Sequence, residues 1–159
     1  MRTPYDKTIK RYSGIYGIDA ALIKAIIKNE SNFNPLASRH EAHLNDTSWG
    51  LMQVLLTTAK WIIKDDKLTA QKLLIPETNI NAGTAYLAYQ KKRYYNVKDI
   101  IAAYNAGSVK KNKRGEYINK DYVTKVYNSY KLYRGIGLNS VMIGVSIGVV
   151  ALSFTKRDW

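Results

Sequence analysis

Apolar positions along the first 130 residues recur at three- and four-residue spacing, with no sustained two-residue alternation of strand-forming side chains. In "DAALIKAIIKNES", Leu22, Ile23, Ile26 and Ile27 form one stripe behind Asp19, a residue type that caps helix N-termini. A short helix is expected before it, near residues 4–13. "SWGLMQVLLTTAKWIIKDD" reads as two short helices, the second from about Thr57. "NINAGTAYLAYQKKRYY" starts at Asn79 as a cap, and "VKDIIAAYNAG" stops at Gly107, placed as a C′ glycine. "NKDYVTKVYNSYKLY" carries Tyr122, Val123, Val126, Tyr127 and Tyr130 on one face. These elements predict an all-α domain, with room for a very small β-hairpin in the 40–48 loop.

The end of the chain follows a different pattern. Residues 135–154, "GIGLNSVMIGVSIGVVALSF", contain no charged side chain, and a helix of about 20 residues spans the ~30 Å hydrocarbon core of a bilayer. Lys131 and Arg134 precede the segment, Lys156 and Arg157 follow it, and Tyr127, Tyr130, Tyr133 and Trp159 stand where interfacial aromatics occur. Gly144 and Gly148 form a small-xxx-small pair suited to helix–helix self-association. The alternative is a buried core helix, which the four glycines and many β-branched residues disfavour. The expected organisation is therefore a domain over 1–134, a transmembrane helix over 135–154 and a short basic tail over 155–159. The opening "MRTPYDKTIKRYSGIYG" lacks the apolar core of a signal peptide.

Composition narrows the chemistry. The 159 residues suffice for one packed domain, and the absence of cysteine excludes disulfides, thiolate metal sites and cysteine nucleophiles. A formal charge of +13 attracts polyanions, whether nucleic acid, anionic lipid or an acidic wall polymer. The basic runs "QKKRYY" and "VKKNKRGEY" interleave with tyrosine, as on some nucleic-acid surfaces, but solvated faces and loops have the same look.

Glu30 is the distinctive ionisable group. It extends the Ile26–Ile27 stripe and ends its helix, where the dipole is negative. Burial and dipole both disfavour the carboxylate and raise its pKa, as a general acid requires. The same position also suits a carboxylate paired with a lysine or holding backbone amides of the next turn.

Four motifs in order give this glutamate a context: "ESNFNP" at 30–35, "GLMQ" at 50–53, "AYNAG" at 103–107 and "DYV" at 121–123, with "NINAGTAYL" at 79–87 between the second and third. Together they resemble the lytic transglycosylase domain of the soluble-transglycosylase type, a lysozyme-like fold, over residues 14–130. The resemblance implies that Glu30 is the catalytic acid. It would protonate the β-1,4 glycosidic oxygen between N-acetylmuramic acid and N-acetylglucosamine, then take a proton from the muramyl C6 hydroxyl. The product would be a 1,6-anhydromuramyl end, made with no second carboxylate, no metal and no cofactor. By the same resemblance Ser31 bonds Glu30 or the helix end and Gln53 projects into the cleft over Met52. Tyr104 bonds Glu30, Asn105 lines the sugar sites, and Tyr122 approaches the acid. Met52 also suits the core, and Asn105 also suits a cap near Gly107.

There are departures from the family pattern. A serine nine residues after the acid is replaced by Arg39, with Ser38 at eight, so Ser38 receives no role. The 38–48 loop is long, and a proline after "GLMQ-V" is absent. His40 and His43 in that loop have a metal-ligand spacing but lack a helix or a fixed third ligand. Glu41 or Asp46 could position a water and make the protein a muramidase instead. A basic membrane-associated nucleic-acid-binding protein is the reading from another class, and no specific nucleic acid is expected. Together the anchor and the substrate predict a protein held in a membrane, in a bacteriophage virion or in the host cell envelope.

Overall fold

The computed structural model describes residues 1–42 and 44–135. The expected transmembrane helix, its Gly144–Gly148 pair and the tail lie outside the described residues, as does His43. Among the described residues, no helix is long and apolar enough to cross a membrane.

Helix α1 (Asp6–Tyr16) runs beyond the expected 4–13 and stops at Gly17, whose φ of 62° is left-handed. In α2 (Ala20–Ser31) the Asp19 carboxylate accepts from the Ala21 amide at 2.9 Å, the expected cap. Ile23, Ile26 and Ile27 of α2 are fully buried. The helix ends through two successive left-handed residues, Asn32 (φ 50°) and Phe33 (φ 66°), which turn the chain sharply just after Glu30.

The next segment corrects the all-α expectation. Strands β1 (Ser38–Glu41), β2 (Asp46–Trp49) and β3 (Val54–Leu55) form an antiparallel sheet in the order β1-β2-β3. Ser38 pairs with Trp49 and Glu41 with Asp46, while Ser48 pairs with Leu55. The hairpin thus exceeds 40–48 and gains a third strand from the stretch expected to be a helix. The reason is local: Gly50 (φ 71°) and Gln53 (φ 46°) are both left-handed, so "GLMQ" is a tight turn. Its apolar residues are buried because the turn plugs into the core, with Leu51 and Met52 fully covered. Only the second expected helix of this stretch forms, as α3 (Leu56–Ile63).

After the single turn α4 (Ala70–Leu73), helix α5 (Pro76–Arg93) crosses the domain. It starts at Pro76, one turn before the expected cap, because proline is preorganised for a first helical position. Asn79 is instead fully buried inside the helix. Its Oδ1 accepts from the Met52 amide at 2.7 Å, and its Nδ2 donates to the carbonyls of Trp49 (2.7 Å) and Leu73 (2.8 Å). Gly83, one turn on, lets α5 lie against the same turn: a Cβ there would come within 2.5 Å of Met52 Sδ. Helix α6 (Val97–Ala106) ends at Gly107, φ 75°, as expected. In α7 (Lys120–Tyr133) the expected stripe holds, with Val123, Val126 and Tyr130 buried. Helix α7 packs along α2 and α6, and α5 contacts α1, α3 and α6.

Candidate active site

Packing of α7 along α2 brings the two ends of the domain together at Glu30. The Tyr122 hydroxyl donates to Glu30 Oε1 at 2.6 Å. Burial, followed by the charge of Glu30 and the bond to it, holds the Tyr122 pKa well above the usual phenol value, so the hydroxyl stays a donor. The Glu30 pKa is raised, first by burial. The Tyr122 bond and the positive charge of Arg39 offset this in part, and the negative charge of Glu41 adds to it. Burial was the cause expected from the stripe, and the direction is that of a group able to keep its proton.

Glu30 opens onto a cavity of about 610 Å³. The hairpin contributes Arg39, Glu41 and Ser48, the "GLMQ" turn Gln53 and Val54, α3 Thr58, and α5 Tyr86. The far wall comes from Tyr104, Asn105, Gly107, Lys110 and Asn119. Of the residues singled out in the sequence, Glu30, Glu41, Gln53, Tyr104 and Asn105 line this space, and Tyr122 reaches it through Glu30.

Several contacts differ from expectation. The Tyr104 hydroxyl donates to the Met52 carbonyl at 2.8 Å, not to Glu30, because the turn presents that carbonyl at the base of the cavity. Tyr104 therefore braces "GLMQ", and Tyr122 is the phenol that holds the acid. Ser31 Oγ lies 2.8 Å from the Leu51 carbonyl and 3.2 Å from that of Ile27, fastening the end of α2 to the turn without bonding Glu30. Gln53 Nε2 donates to the carbonyls of Ala37 (3.0 Å) and Gly50 (2.9 Å), which fixes its left-handed backbone and its place on the cavity wall. Met52 is fully buried and belongs to the core. Asn105 is exposed and accepts from Asn119 Nδ2 at 2.9 Å. Asn119 Oδ1 is buried with no hydrogen-bond partner among the described residues.

The acidic loop residues separate by role. Asp46 accepts from the Thr47 amide and from the Thr57 hydroxyl, each at 2.6 Å, and so ties β2 to the first turn of α3. Glu41 pairs with Arg39 at 2.6 Å on the cavity wall. His40 is exposed, with Nδ1 3.4 Å from Thr47 Oγ1, and no group of three metal-ligating side chains occurs among the described residues.

Arg39, Tyr86 and Asn119 were missed in the sequence. Tyr86 had a signal, since it follows Gly83 by three residues and so shares the α5 face that meets "GLMQ". Arg39 and Asn119 sit in loop and cap positions whose direction depends on the tertiary fold.

Comparison with known proteins bears on the family and the fold. The Transglycosylase SLT domain family matches residues 7–126. Membrane-bound lytic murein transglycosylase C of Photorhabdus laumondii is 37% identical over 147 residues, covering 79% of this chain and 40% of that protein. The protein of the same name from Edwardsiella ictaluri is 39% identical over 118 residues, covering 65% and 31%. The chain thus spans less than half the length of these curated relatives. An inactive mutant of lytic transglycosylase Slt from Pseudomonas aeruginosa superposes with a TM-score of 0.67 at 25% identity, covering 86% of this chain and 24% of that one. The 70 kDa soluble lytic transglycosylase of Escherichia coli gives 0.57 at 30% identity, covering 79% and 18%. With a mostly helical fold, a small three-stranded sheet and a family match across most of its length, this chain belongs to the Transglycosylase SLT domain family.

Proposed function

We propose that the chain is a peptidoglycan lytic transglycosylase in which Glu30 is the single acid/base. The observation that carries this is a carboxyl group with a raised pKa, held by Tyr122 and open to a cavity built for a large ligand. In the first step Glu30 donates its proton to the glycosidic oxygen as the bond to the muramyl anomeric carbon breaks. The substrate's own acetamido group assists there. In the second step the Glu30 carboxylate accepts the C6 hydroxyl proton as that oxygen closes on the anomeric carbon. Tyr122 donates to the carboxylate between the two steps, and the Arg39 charge favours the same state. Gln53, Tyr104 and Asn105 act as walls for the sugars, and Ser31 acts through the turn it fastens. The basic charge suits the carboxylates of peptidoglycan stem peptides.

Digestion of purified peptidoglycan is expected to release 1,6-anhydromuramyl ends, read by mass spectrometry of the fragments. Glu41 supports the second reading, a muramidase, because it shares the cavity with Glu30. Reducing ends carrying oxygen from labelled water would establish the hydrolase and displace the transglycosylase. Asp46 is committed to the α3 turn and fits that role less well.

We also propose that residues 135–154 anchor the protein in a membrane, of a virion or of the host envelope. The support is the charge-free segment itself, the basic residues on either side of it and Trp159 beyond it; Tyr127, Tyr130 and Tyr133, expected as interfacial rings, pack against the core of the domain instead. Residues 1–134 are then expected to stay in the supernatant and remain active, while the full chain sediments with membranes. An insoluble truncation beside a soluble full chain would show that the segment belongs to the domain.

A further inference from the structure

Two of the helices that line the cavity run on beyond it. Thr58 lines it from α3, and Trp61 follows three residues later on the same face, 55% exposed. Tyr86 lines it from α5, and Tyr89 and Arg93 follow on that face. The rings connect: Tyr104 meets Tyr86 at 5.4 Å between centroids, Tyr86 stacks on Tyr89 at 6.2 Å, and Trp61 meets Tyr89 edge-on at 4.9 Å. Arg93 lies between two rings, 5.3 Å from that of Tyr89 and 5.2 Å from that of Tyr94, and its Nη1 donates to Gln90 Oε1 and to the carbonyl of Gly107, a residue of the cavity wall. That leaves the Nε and Nη2 donors of Arg93 with no hydrogen-bond partner among the described residues. A track of aromatic rings thus runs from the base of the cavity to an exposed indole, with a guanidinium beside it.

We propose that Trp61, Tyr89 and Arg93 form an outlying glycan-binding shelf that holds the saccharide chain beyond the bond being cut. The proposal rests on the reading that the cavity cleaves a glycan strand. A hexopyranose has an apolar C–H face and a rim of hydroxyl and acetamido groups. The indole and phenol rings match the face, and the free guanidinium donors match the rim. The ring contacts to Tyr86 and Tyr104 of the cavity wall select the occupant, because a strand threaded past Glu30 must leave over one of its walls. Such a shelf rewards long strands over short ones and favours successive cuts on one strand.

The test uses full-length protein and glycan strands freed of stem peptides by an amidase. In a Glu30→Gln background, Trp61→Ala is expected to weaken cosedimentation with these strands about fivefold to tenfold. In the active protein Trp61→Ala raises KM on strands with kcat unchanged, and leaves cleavage of a tetrasaccharide of the same repeat unaltered. Trp61→Phe, which keeps a ring, recovers most of the binding. Unchanged strand binding by Trp61→Ala overturns the shelf while the activity stands. So does an equal loss on strand and tetrasaccharide, or a change in self-association with glycan binding intact. A parent protein that neither binds nor cuts any glycan removes the proposed activity, and the shelf with it.

Discussion

Glu30→Gln is expected to fold, to bind glycan and to lose at least about a hundredfold in cleavage rate, the usual scale for removal of a general acid. Glutamine keeps the shape of the side chain, and its Oε1 still accepts from Tyr122. It has no acidic proton to give to the leaving oxygen and cannot take one from the C6 hydroxyl, so both steps fail together. The variant also reports on the carboxyl environment. Because the Glu30 pKa is raised above its ordinary 4.5, the folded state favours the protonated form. That stabilisation is full below the ordinary value and is lost as pH rises through the raised one. Glutamine does not titrate, so its Tm relative to the parent should improve from acid to neutral pH. The measurements are turnover on purified peptidoglycan and thermal unfolding across pH 3 to 8. Turnover near that of the parent would remove Glu30 from the mechanism, and a Tm difference that moves the opposite way with pH would mean its carboxylate is favoured by the fold.

Asn79→Leu is expected to destabilise the domain by about 3 kcal/mol or more and to abolish activity at 37 °C. The substitution orphans three backbone groups: the Met52 amide and the carbonyls of Trp49 and Leu73. Each buried polar group left unpaired costs about 1–3 kcal/mol, against a typical domain stability of about 5–15 kcal/mol. The surroundings cannot relax easily. Gly50 is so close that a Cβ on it would overlap the Asn79 side chain and come within 2.6 Å of the Leu73 carbonyl. Loss of this staple frees the "GLMQ" turn, and with it the Met52 carbonyl that Tyr104 grips and the Gln53 wall of the cavity. Urea unfolding gives the measurement. A change below about 0.5 kcal/mol, within the range of surface substitutions, would show that water replaces the amide and that the staple has no structural weight.

The helices carrying Glu30, Tyr104 and Tyr122 were legible because each has a long apolar stripe and, at α2 and α6, a terminal signal: Asp19 for the start of one and Gly107 for the end of the other. The "GLMQ" turn was not. A run such as Leu51, Met52, Val54, Leu55 and Leu56 looks the same whether a helix or a plugged turn buries it, and only the left-handed backbone at Gly50 and Gln53 separates them. Asn79 was misread for a related reason. Asparagine at a helix start is ordinarily a cap, whereas here Pro76 starts the helix and the amide turns inward to serve another segment. At the site, position along a helix predicted that Glu30 would be buried. Which phenol reached the acid depended on how α7 docks on α2, and no local pattern encodes that. Arg39 and Asn119 became visible once the sheet and the α6–α7 connection had direction.

The bond between Glu30 and Tyr122 joins residues 92 apart in the chain. Synthesis runs from the N-terminus, so the acid and most of the cavity wall leave the ribosome well before the phenol that holds the acid. Until α7 docks, the side of α2 that it covers stays open to water, and the burial that raises the Glu30 pKa is incomplete. The contact is long-range, so the entropy of closing the chain between its two ends is met only once α7 has been made. A fragment released before residue 120 has the acid but lacks its donor and the helix that encloses it. The domain behaves like a latch whose bolt is made last: the order of synthesis itself delays the enclosed acid until the chain around it is complete.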